Sequence, residues 1–383
     1  MSDSVIRHSR GLPAAFLITA TLVLPFMSSI ASAHGKQREE QPTVTVYAEG
    51  LNNPRGLKFG PDGYLYVAEG GVGGDTPPAD PNDPECNTPD AVGPYLGSTT
   101  GSRISRIDSH GNVTTYLDGL PSSQTNESLG SLVSGVADIA WVGHQMYAIL
   151  AGAGCSHGVP SIPNSVIRVH HRDNSWEVVA DLGAFQRANP VANPEEDDFE
   201  PDGTWYSMIS VRGALYAVEP NHGEIDRITP DGRIRRVIDV SASQGHVVPT
   251  VIAYRGLFYL SNLDTFPQEV GASSIWKVTP NGHIWKYAEG FNMVLGIALD
   301  REGRVYVLQS SEAPAPTPGT GSIVRLSNHG KTREVIATGL FLPGGMTMGP
   351  DGNLYVSNVS FGPPPVGLGQ ILKIDLHDDH HHH

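Results

Sequence analysis

The sequence predicts an all-β protein, a six-bladed β-propeller in which a strand near the N-terminus closes the last blade. Three observations support this prediction. A triplet of an apolar residue, a tyrosine and a second apolar residue recurs six times, a tight glycine turn precedes each copy, and the last copy lacks a strand that residues 43–47 can supply. The 44 glycines and 30 prolines among 383 residues disfavour long helices, which agrees with a turn-rich fold.

The repeated triplet gives the size of one structural unit. Its tyrosines in the second half of the chain are 43, 47 and 49 residues apart, and the two earlier spacings are longer because they contain insertions. A second tight turn follows a third strand, so each unit contains two hairpins. Four short antiparallel strands at this period are typical of a propeller blade. The six tyrosines are Tyr66, Tyr147, Tyr216, Tyr259, Tyr306 and Tyr355.

The two ends of the chain predict how the ring closes. The last unit has three strands, and residues 45–51 (TVYAEGL) match residues 334–340 (EVIATGL), which form the outer strand of the unit before it. We therefore expect residues 43–47 to form the outer strand of the last blade. This arrangement ties the two ends together and removes an exposed sheet edge.

The first 33 residues have the features of a signal peptide. Arg7 and Arg10 precede an apolar stretch over residues 12–27, and a small-residue cleavage site, Ala-Ser-Ala, ends at Ala33. After cleavage we expect a flexible segment over 34–42, the propeller over 43–376 and a His-rich tail over 377–383, which is either native or the remainder of a purification tag. These features predict a periplasmic or secreted protein with no stable membrane insertion.

The charge balance and the cysteines narrow the range of partners and compartments. The chain has 25 Lys and Arg against 40 Asp and Glu, a formal charge of −15, whereas nucleic acids and anionic lipid surfaces favour clustered basic residues. We therefore expect no nucleic-acid partner. We also expect a monomer whose partner is a small molecule or a protein. The two cysteines, Cys86 and Cys155, form an even pair in an exported chain and predict a disulfide.

The order of strands within a blade divides the predicted disc into two faces. The tight-turn face has the connections between first and second strands and between third and fourth strands, which are all short. The loop face has the second-to-third connections and the passages between blades, which contain every long insertion and both cysteines. Long loops on one side of a rigid scaffold are where binding commonly resides, so we expect the functional site on the loop face.

The residue three places after each repeat tyrosine is polar in five of the six units, which predicts a ring of oxygen and amide groups at the loop-face mouth of the central channel. Such a ring is suited to one divalent cation, calcium or magnesium, since both ions bind oxygen ligands. The alternative is that these side chains satisfy backbone groups and channel waters. The candidate cation ligands are Glu69, Glu219, Asn262 and Asn358.

Histidines and carboxylates on the same face are candidates for chemistry. His222 and His246 are candidate bases, with Glu219 as the orienting group, because a neutral histidine beside a carboxylate can accept a proton or bind a metal. The alternative is that these histidines only form hydrogen bonds within loops. The candidate ligand-binding residues are Arg55, Glu69, His157, Glu200, Asp202, Trp205, Tyr206, Asn221, Thr250, Asn262 and Asn358.

Five motifs consist of residues that a generic blade does not require. They are residues 51–56 (LNNPRG), 151–158 (AGAGCSHG), 200–206 (EPDGTWY), 217–223 (AVEPNHG) and 243–249 (SQGHVVP). These motifs resemble the ScyD/ScyE family, exported proteins named for the gene cluster that makes scytonemin, a cyanobacterial sunscreen pigment. The resemblance spans nearly all of the mature chain and implies a six-bladed, NHL-like propeller, but it implies no particular reaction.

More distantly, the architecture is similar to that of sugar lactonases, strictosidine synthases and streptogramin lyases. The lactonase type binds a divalent ion through Glu, Asn and Asp near the channel, whereas this sequence has Arg55, Leu295 and Gly344 where oxygen ligands would be expected. The leading hypothesis is an exported binding or accessory protein that recognises a small molecule on the loop face, and aromatic molecules are among the candidates. The alternatives are a lyase or lactone hydrolase with a His and Glu site, and a protein-binding scaffold.

Overall fold

The structure, a computed structural model, describes residues 42–80, 83, 86–88, 92–193, 200–362 and 367–376. The described chain forms six antiparallel sheets arranged as the blades of a propeller, so the predicted all-β fold class is confirmed. The predicted signal peptide, nearly all of the predicted flexible segment and the His-rich tail lie outside the described residues. No helix within the described ranges is long and apolar enough to cross a membrane.

The strands follow one another blade by blade along the chain. Blade one contains β2 (Pro54–Phe59), β3 (Leu65–Glu69), β4 (Leu96–Ile107), β5 (Val113–Gln124) and β6 (Val133–Ser134). Blade two contains β7 (Val136–Val142), β8 (Gln145–Leu150), β9 (Ser165–His170) and β10 (Ser175–Asp181). Blade three contains β11 (Ser207–Val211), β12 (Ala214–Glu219), β13 (Glu224–Ile228) and β14 (Ile234–Asp239).

The second half of the ring repeats the four-strand pattern. Blade four contains β15 (Pro249–Arg255), β16 (Leu257–Asn262), β17 (Ser273–Val278) and β18 (Ile284–Phe291). Blade five contains β19 (Val294–Leu299), β20 (Val305–Gln309), β21 (Gly321–Ser327) and β22 (Thr332–Leu340). Blade six contains β23 (Gly345–Met348), β24 (Leu354–Asn358), β25 (Gly369–Asp375) and β1 (Thr43–Leu51). Two short helices, α1 (Leu182–Ala188) and α2 (Ser241–Gln244), lie in the passages on either side of blade three.

The N-terminal strand closes the ring as the sequence predicts. β1 pairs antiparallel with β25, with Thr43 opposite Asp375 and Leu51 opposite Gly369, and so forms the outer strand of blade six. The innermost strands β2, β7, β11, β15, β19 and β23 contact one another in this order, and β23 also contacts β2. The six sheets therefore form a closed ring around a central channel.

Buried tyrosines explain why the triplet recurs. Each triplet lies in the second strand of its blade, and its tyrosine is at most 8% exposed. A buried phenol needs a hydrogen-bond partner, since leaving one unsatisfied costs about 1–3 kcal/mol. In three blades the aspartate of the preceding turn accepts this bond: Tyr66 donates to Asp62 (2.7 Å), Tyr355 to Asp351 (3.0 Å) and Tyr306 to Asp300 (3.3 Å).

The hydrophobic core lies between neighbouring blades. Tyr66 and Leu120 of blade one, for example, pack in one cluster with Ile139 and Ile167 of blade two, and all four are almost fully buried. Burial of each such side chain contributes about 1.5–3 kcal/mol. Because each blade covers the next one, the core is continuous only when the ring is complete.

The observed strand bounds confirm the predicted division into a loop face and a tight-turn face. The connection from β8 to β9, which contains His157, and the connection from β12 to β13, which contains His222, both emerge on the loop face. The hairpin turns from β2 to β3 and from β7 to β8, in contrast, are short and lie on the tight-turn face.

Blade one departs from the repeat. β4 and β5 are twelve residues long, and their ends pair beyond the ordinary blade, with Leu96 opposite Gln124 and Gly97 opposite Ser123. This hairpin extension rises from the loop face and packs against the connection from β8 to β9. A glycine is needed at position 97 because a Cβ there would lie 2.1 Å from the carbonyl oxygen of His157.

We expect deletion of residues 42–50 to abolish the cooperative unfolding transition at the wild-type melting temperature. The deletion leaves β25 without its outer partner and removes the buried Ala48 from the core. Thermal unfolding followed by circular dichroism checks this, with Val44→Ser as the control because Val44 is exposed on the same strand. An unchanged melting transition in the deletion variant would refute the closure.

Candidate functional site

The loop face above blades one to three holds a buried polar cluster around His157. We call Tyr95, Ser123, His157, Glu200 and Asn221 the His157 cluster. The His157 ring is fully buried, its Nδ1 atom lies 2.7 Å from Ser123 Oγ, and the Tyr95 ring lies 4.7 Å away, centroid to centroid. No hydrogen-bond partner for His157 Nε2 is found in the described part of the chain, and Glu200 Oε1 lies 3.7 Å from this atom.

Glu200 is the carboxyl group of this cluster. Its Oε1 atom accepts a hydrogen bond from the Tyr95 hydroxyl at 3.1 Å, and its Oε2 atom accepts one from Asn221 Nδ2 at 2.8 Å. Its side chain is 12% exposed, so solvent reaches one edge of the group. Burial raises the pKa of Glu200 to about 7, with repulsion from Glu219 adding to the rise and hydrogen bonds from Thr204, Tyr95 and Asn221 opposing it.

His157 and Glu200 differ in their protonation at neutral pH: the imidazole is in one form, whereas the carboxyl is divided between two. Burial lowers the pKa of His157 to about 3, so the imidazole is neutral. The carboxyl of Glu200, with its pKa near 7, is present in both its protonated and its ionised form. A carboxyl poised near the working pH can both accept and return a proton, which is what a general acid–base group requires.

Glu219 lies next to the cluster, at the end of β12. This fully buried carboxylate accepts backbone N–H bonds from Thr204 (2.9 Å) and Asn221 (3.2 Å) at Oε1 and from His222 (2.6 Å) at Oε2. The Nδ1 atom of His222 lies 3.6 Å from Oε2. Glu219 therefore joins the segment before β11, which contains Glu200, to the β12–β13 connection, which contains Asn221.

Tyr206 crosses the loop-face end of the channel. It precedes β11 in blade three, and its hydroxyl donates to the carbonyl of Gly344, which precedes β23 in blade six, at 2.6 Å. Blades three and six are opposite one another in the ring, so this side chain spans the channel. Arg55 of blade one interacts with Tyr206, donates to the carbonyl of Val133 and lies 3.7 Å over the Phe361 ring.

The four candidate cation ligands are bonded within their own parts of the ring. Glu69 accepts hydrogen bonds from the backbone N–H of Asn52 (2.6 Å) and from Arg103 Nε (2.8 Å). The side-chain oxygen of Asn262 accepts a hydrogen bond from the backbone N–H of Ser274, and that of Asn358 accepts one from the backbone N–H of Phe341. Glu219 likewise accepts the three backbone N–H bonds described above. These contacts agree with the alternative given above, that the side chains satisfy backbone groups. Among the described residues no group of three or more His, Cys, Asp or Glu is arranged to hold a metal ion.

Cys86 and Cys155 form the disulfide that the sequence predicts, with Sγ atoms 2.03 Å apart. Next to it, Asp202 accepts hydrogen bonds from the N–H (2.8 Å) and the hydroxyl (2.9 Å) of Ser156 and pairs with Arg187 of α1 at 3.0 Å. The disulfide and Asp202 thus tie together the long connections of blades one and two and the passage into blade three. A disulfide is compatible with the predicted export.

The remaining candidates lie apart from the His157 cluster. Trp205 is fully buried in the core, where its Nε1 atom donates to Asp226 at 3.2 Å. Thr250 is buried and donates to the carbonyl of Val294 at 2.7 Å, which links blade four to blade five. His246 is half-buried in the passage before β15. The structure therefore brings together His157, Glu200 and Asn221 of the predicted set, with Glu219 below them.

Tyr95 and Ser123 were not among the residues singled out from the sequence. Tyr95 ends a Pro-rich insertion, and Ser123 lies in the hairpin extension, where the residues show no repeat pattern. The available signal is that Tyr95 lies in a long loop-face insertion, where binding residues are commonly found.

No family model matches the sequence, and no curated protein matches it. Solved six-bladed propellers do match the structure. A gluconolactonase from Xanthomonas campestris is 10% identical, with a TM-score of 0.53 over 87% of this chain and 89% of that one. A putative oxidoreductase (glucose dehydrogenase) from Thermus thermophilus is 18% identical, with a TM-score of 0.54 over 87% and 99%.

A third similar structure is a protein of unknown function from Bacteroides thetaiotaomicron, 12% identical, with a TM-score of 0.55 over 87% of this chain and 76% of that one. At these identities the likeness concerns the fold alone. The comparisons therefore place the chain in the class of six-bladed β-propellers, a fold that hosts many functions, so its chemistry depends on its own residues.

We expect the double variant Cys86→Ser, Cys155→Ser to unfold with a free energy about 2–4 kcal/mol lower than that of the wild type. The reason is that the disulfide joins residues 69 positions apart and so restricts the unfolded chain. Urea denaturation measures the difference. A reductant should lower the stability of the wild type by a similar amount and leave the variant unchanged; equal stability of both proteins would contradict the prediction.

Blade three also contains a buried carboxyl pair, Glu224 and Asp226, two positions apart on β13 and both fully buried. Arg236 donates to Glu224, and Trp205 donates to Asp226. Burial raises the pKa of each carboxyl, and repulsion from a neighbouring carboxyl adds to each rise. The folded protein therefore keeps protons that the unfolded chain has already lost above about pH 4–5.

This pair should make the protein less stable as the pH rises from 5 to 8, because the unfolded state then binds fewer protons than the folded state. Asp226→Asn removes one such proton and should make the decline shallower, by up to about 1.4 kcal/mol per pH unit. Urea denaturation at pH 5, 6.5 and 8 measures this. The control is Asp231→Asn, an exposed position in the turn after β13; equal slopes in wild type and Asp226→Asn would rule out the explanation.

Proposed function

We propose that the protein is an acid–base enzyme whose site is the His157 cluster, and that its reaction is the hydrolysis of a small lactone. The observation that carries this proposal is the position of Glu200: a carboxyl with a pKa near 7, 12% exposed, 3.7 Å from the Nε2 atom of a neutral, buried histidine. In this proposal Glu200 takes the role for which the sequence analysis nominated His222 or His246.

The proposed reaction consumes one water and one lactone. Ionised Glu200 accepts a proton from the water, whose oxygen adds to the carbonyl carbon of the lactone. The ring C–O bond then breaks, and Glu200 returns the proton to the leaving alkoxide oxygen, so the product is a hydroxy acid and the enzyme is regenerated. Tyr95 and Asn221 orient the carboxylate, and Ser123 fixes the neutral ring of His157 beside it.

The carboxyl of Glu200 could also serve a lyase reaction, which is the alternative within the enzyme proposal. Glu200 would then remove a proton from carbon, and the substrate would split without the addition of water. The products distinguish the two reactions, since hydrolysis adds one water to the mass of the substrate and elimination adds none.

The competing proposal is an accessory protein that binds a small aromatic molecule without converting it. The resemblance of motifs such as 151–158 and 217–223 to the ScyD/ScyE family supports this role. A ligand that raises the melting temperature but is recovered unchanged would favour it. The role of a protein-binding scaffold also stays a prediction. So does a divalent cation bound by Glu69, Glu219, Asn262 and Asn358, and elemental analysis of the purified protein tests it.

We expect Glu200→Gln to reduce lactone hydrolysis by about 10²–10⁴-fold, because an amide cannot accept the proton. The assay is acid release in a pH-stat with δ-gluconolactone and δ-valerolactone as probes. The wild-type rate should rise with pH through about 7, as Glu200 ionises. Glu177→Gln, at an exposed carboxylate of blade two, is the control and should keep the wild-type rate.

Tyr95→Phe separates this role from a merely structural one. The variant keeps the aromatic ring beside His157 but loses the hydrogen bond that opposes the rise of the Glu200 pKa, so the midpoint of the pH profile should move to higher pH. The proposal fails if Glu200→Gln retains full activity, if the midpoint does not move in Tyr95→Phe, or if the wild type hydrolyses neither lactone.

A further inference from the structure

Arg55 is a buried basic side chain at the loop-face mouth of the channel. It is 6% exposed, and every other described Lys or Arg is more exposed than this. It lies at the loop-face end of β2, next to Pro54, which pairs with Glu69 of β3. Long basic side chains are almost never buried to this extent unless an acidic group pairs with them.

Within the described chain Arg55 forms no ion pair with a carboxylate. Of its five N–H donors, one bonds the carbonyl of Val133 and one is directed to the phenol oxygen of Tyr206. The other three have no partner among the described residues. The Arg55 nitrogens are also not among the described polar atoms that lack both solvent and a partner, so the free donors are reached by water.

Arg55 and Glu200 are close enough to interact electrostatically. Burial lowers the pKa of Arg55, whereas Tyr206 and the charge of Glu200 raise it. The guanidinium group still stays ionised, because an arginine does not lose its proton in a protein. A buried charge without a partner is unfavourable, and proteins commonly give up stability at positions that function requires. The free edge of Arg55 is therefore suited to an anion that binds beside Glu200.

The surroundings of Arg55 favour a carboxylate with a single negative charge. A guanidinium group offers parallel N–H donors in one plane, which match the two oxygens of a carboxylate. The Phe361 ring covers one face of the group at 3.7 Å, so a ligand meets its edge. A more highly charged ligand is disfavoured, because the chain has a formal charge of −15 and Glu200 is partly ionised at neutral pH.

We propose that Arg55 binds a carboxylate of the substrate, and that the substrate class of the loop-face site is a lactone with one free carboxylate. This inference rests on the proposed function, because it places the lactone ring at Glu200 while the carboxylate lies on Arg55. Arg55 determines specificity in this arrangement and takes no part in the proton transfer. Neutral lactones still react, but with a higher KM.

Isothermal titration calorimetry with a matched pair of probes tests this inference. The probes D-glucaro-1,4-lactone and D-glucono-1,4-lactone have the same ring and differ at C6, which is a carboxylate in the first and a hydroxymethyl group in the second. Glu200→Gln is the protein titrated, so that hydrolysis does not consume the probes. The carboxylate should bind at least about tenfold more tightly than the neutral lactone.

Arg55→Met in the same background should bind the two probes equally. Arg55→Lys should keep part of the preference, because an ammonium group has the charge without the planar pair of donors. Arg106→Met is the matched control and should keep the full preference. Arg106 belongs to the same blade and also lies over an aromatic ring, that of Tyr64, but on the tight-turn face.

Three results would overturn the inference: equal affinity for the two probes, no binding of either probe, or a preference for the carboxylate that survives in Arg55→Met. If Arg55→Met does not fold, as judged by circular dichroism, the comparison of Arg55→Lys with Arg106→Met decides.

The pH-stat assay on the wild type separates this inference from the proposed function. Equal affinity for the probes, together with hydrolysis of both at the same kcat/KM, refutes the inference and leaves the proposed function standing. Preferential binding of the carboxylate without hydrolysis of either lactone refutes the proposed function and supports Arg55 as a carboxylate-binding residue.

Discussion

The antiparallel pairing of β1 with β25 is the contact on which the rest of the structure depends, because it joins the first and last strands of the described chain in one sheet. The innermost strand of blade six then packs against that of blade one. At this junction the Ser357 hydroxyl donates to the carbonyl of Arg55 at 2.6 Å, across 302 positions of sequence. A closed ring holds all six innermost strands around one axis, so each loop-face connection starts from a fixed place.

The His157 cluster is possible only on such a scaffold. Its members come from the insertion after β3, the hairpin extension, the β8–β9 and β12–β13 connections and the segment before β11, and no single loop could enclose the imidazole of His157. Because the ring fixes where these segments begin, hydrogen bonds of ordinary length are sufficient to assemble them. The cost is electrostatic: Glu200 and Glu219 are close enough to repel, and this repulsion adds to the effect of burial on Glu200.

The repeat could be predicted from the sequence because it is periodic. Six buried tyrosines, their turns and the matching end segments define the blades, the closure and the two faces without further information. The hairpin extension could not be predicted, since residues 97–101 and 121–124 lack an alternating apolar pattern. The polar residue three places after the tyrosine can be identified in five of the six units, but a sequence does not reveal whether an oxygen such as that of Asn262 bonds a backbone N–H or faces the channel. That choice depends on loop conformation, which long-range contacts decide.

The phenol of Tyr206 has a consequence for how the protein can respond to its surroundings. Because it reaches from blade three to the carbonyl of Gly344 in blade six, it acts as a partition between the loop-face surface and the interior of the ring. A molecule that approached the channel from the loop face would therefore have to displace this phenol from the carbonyl of Gly344 before it could go deeper.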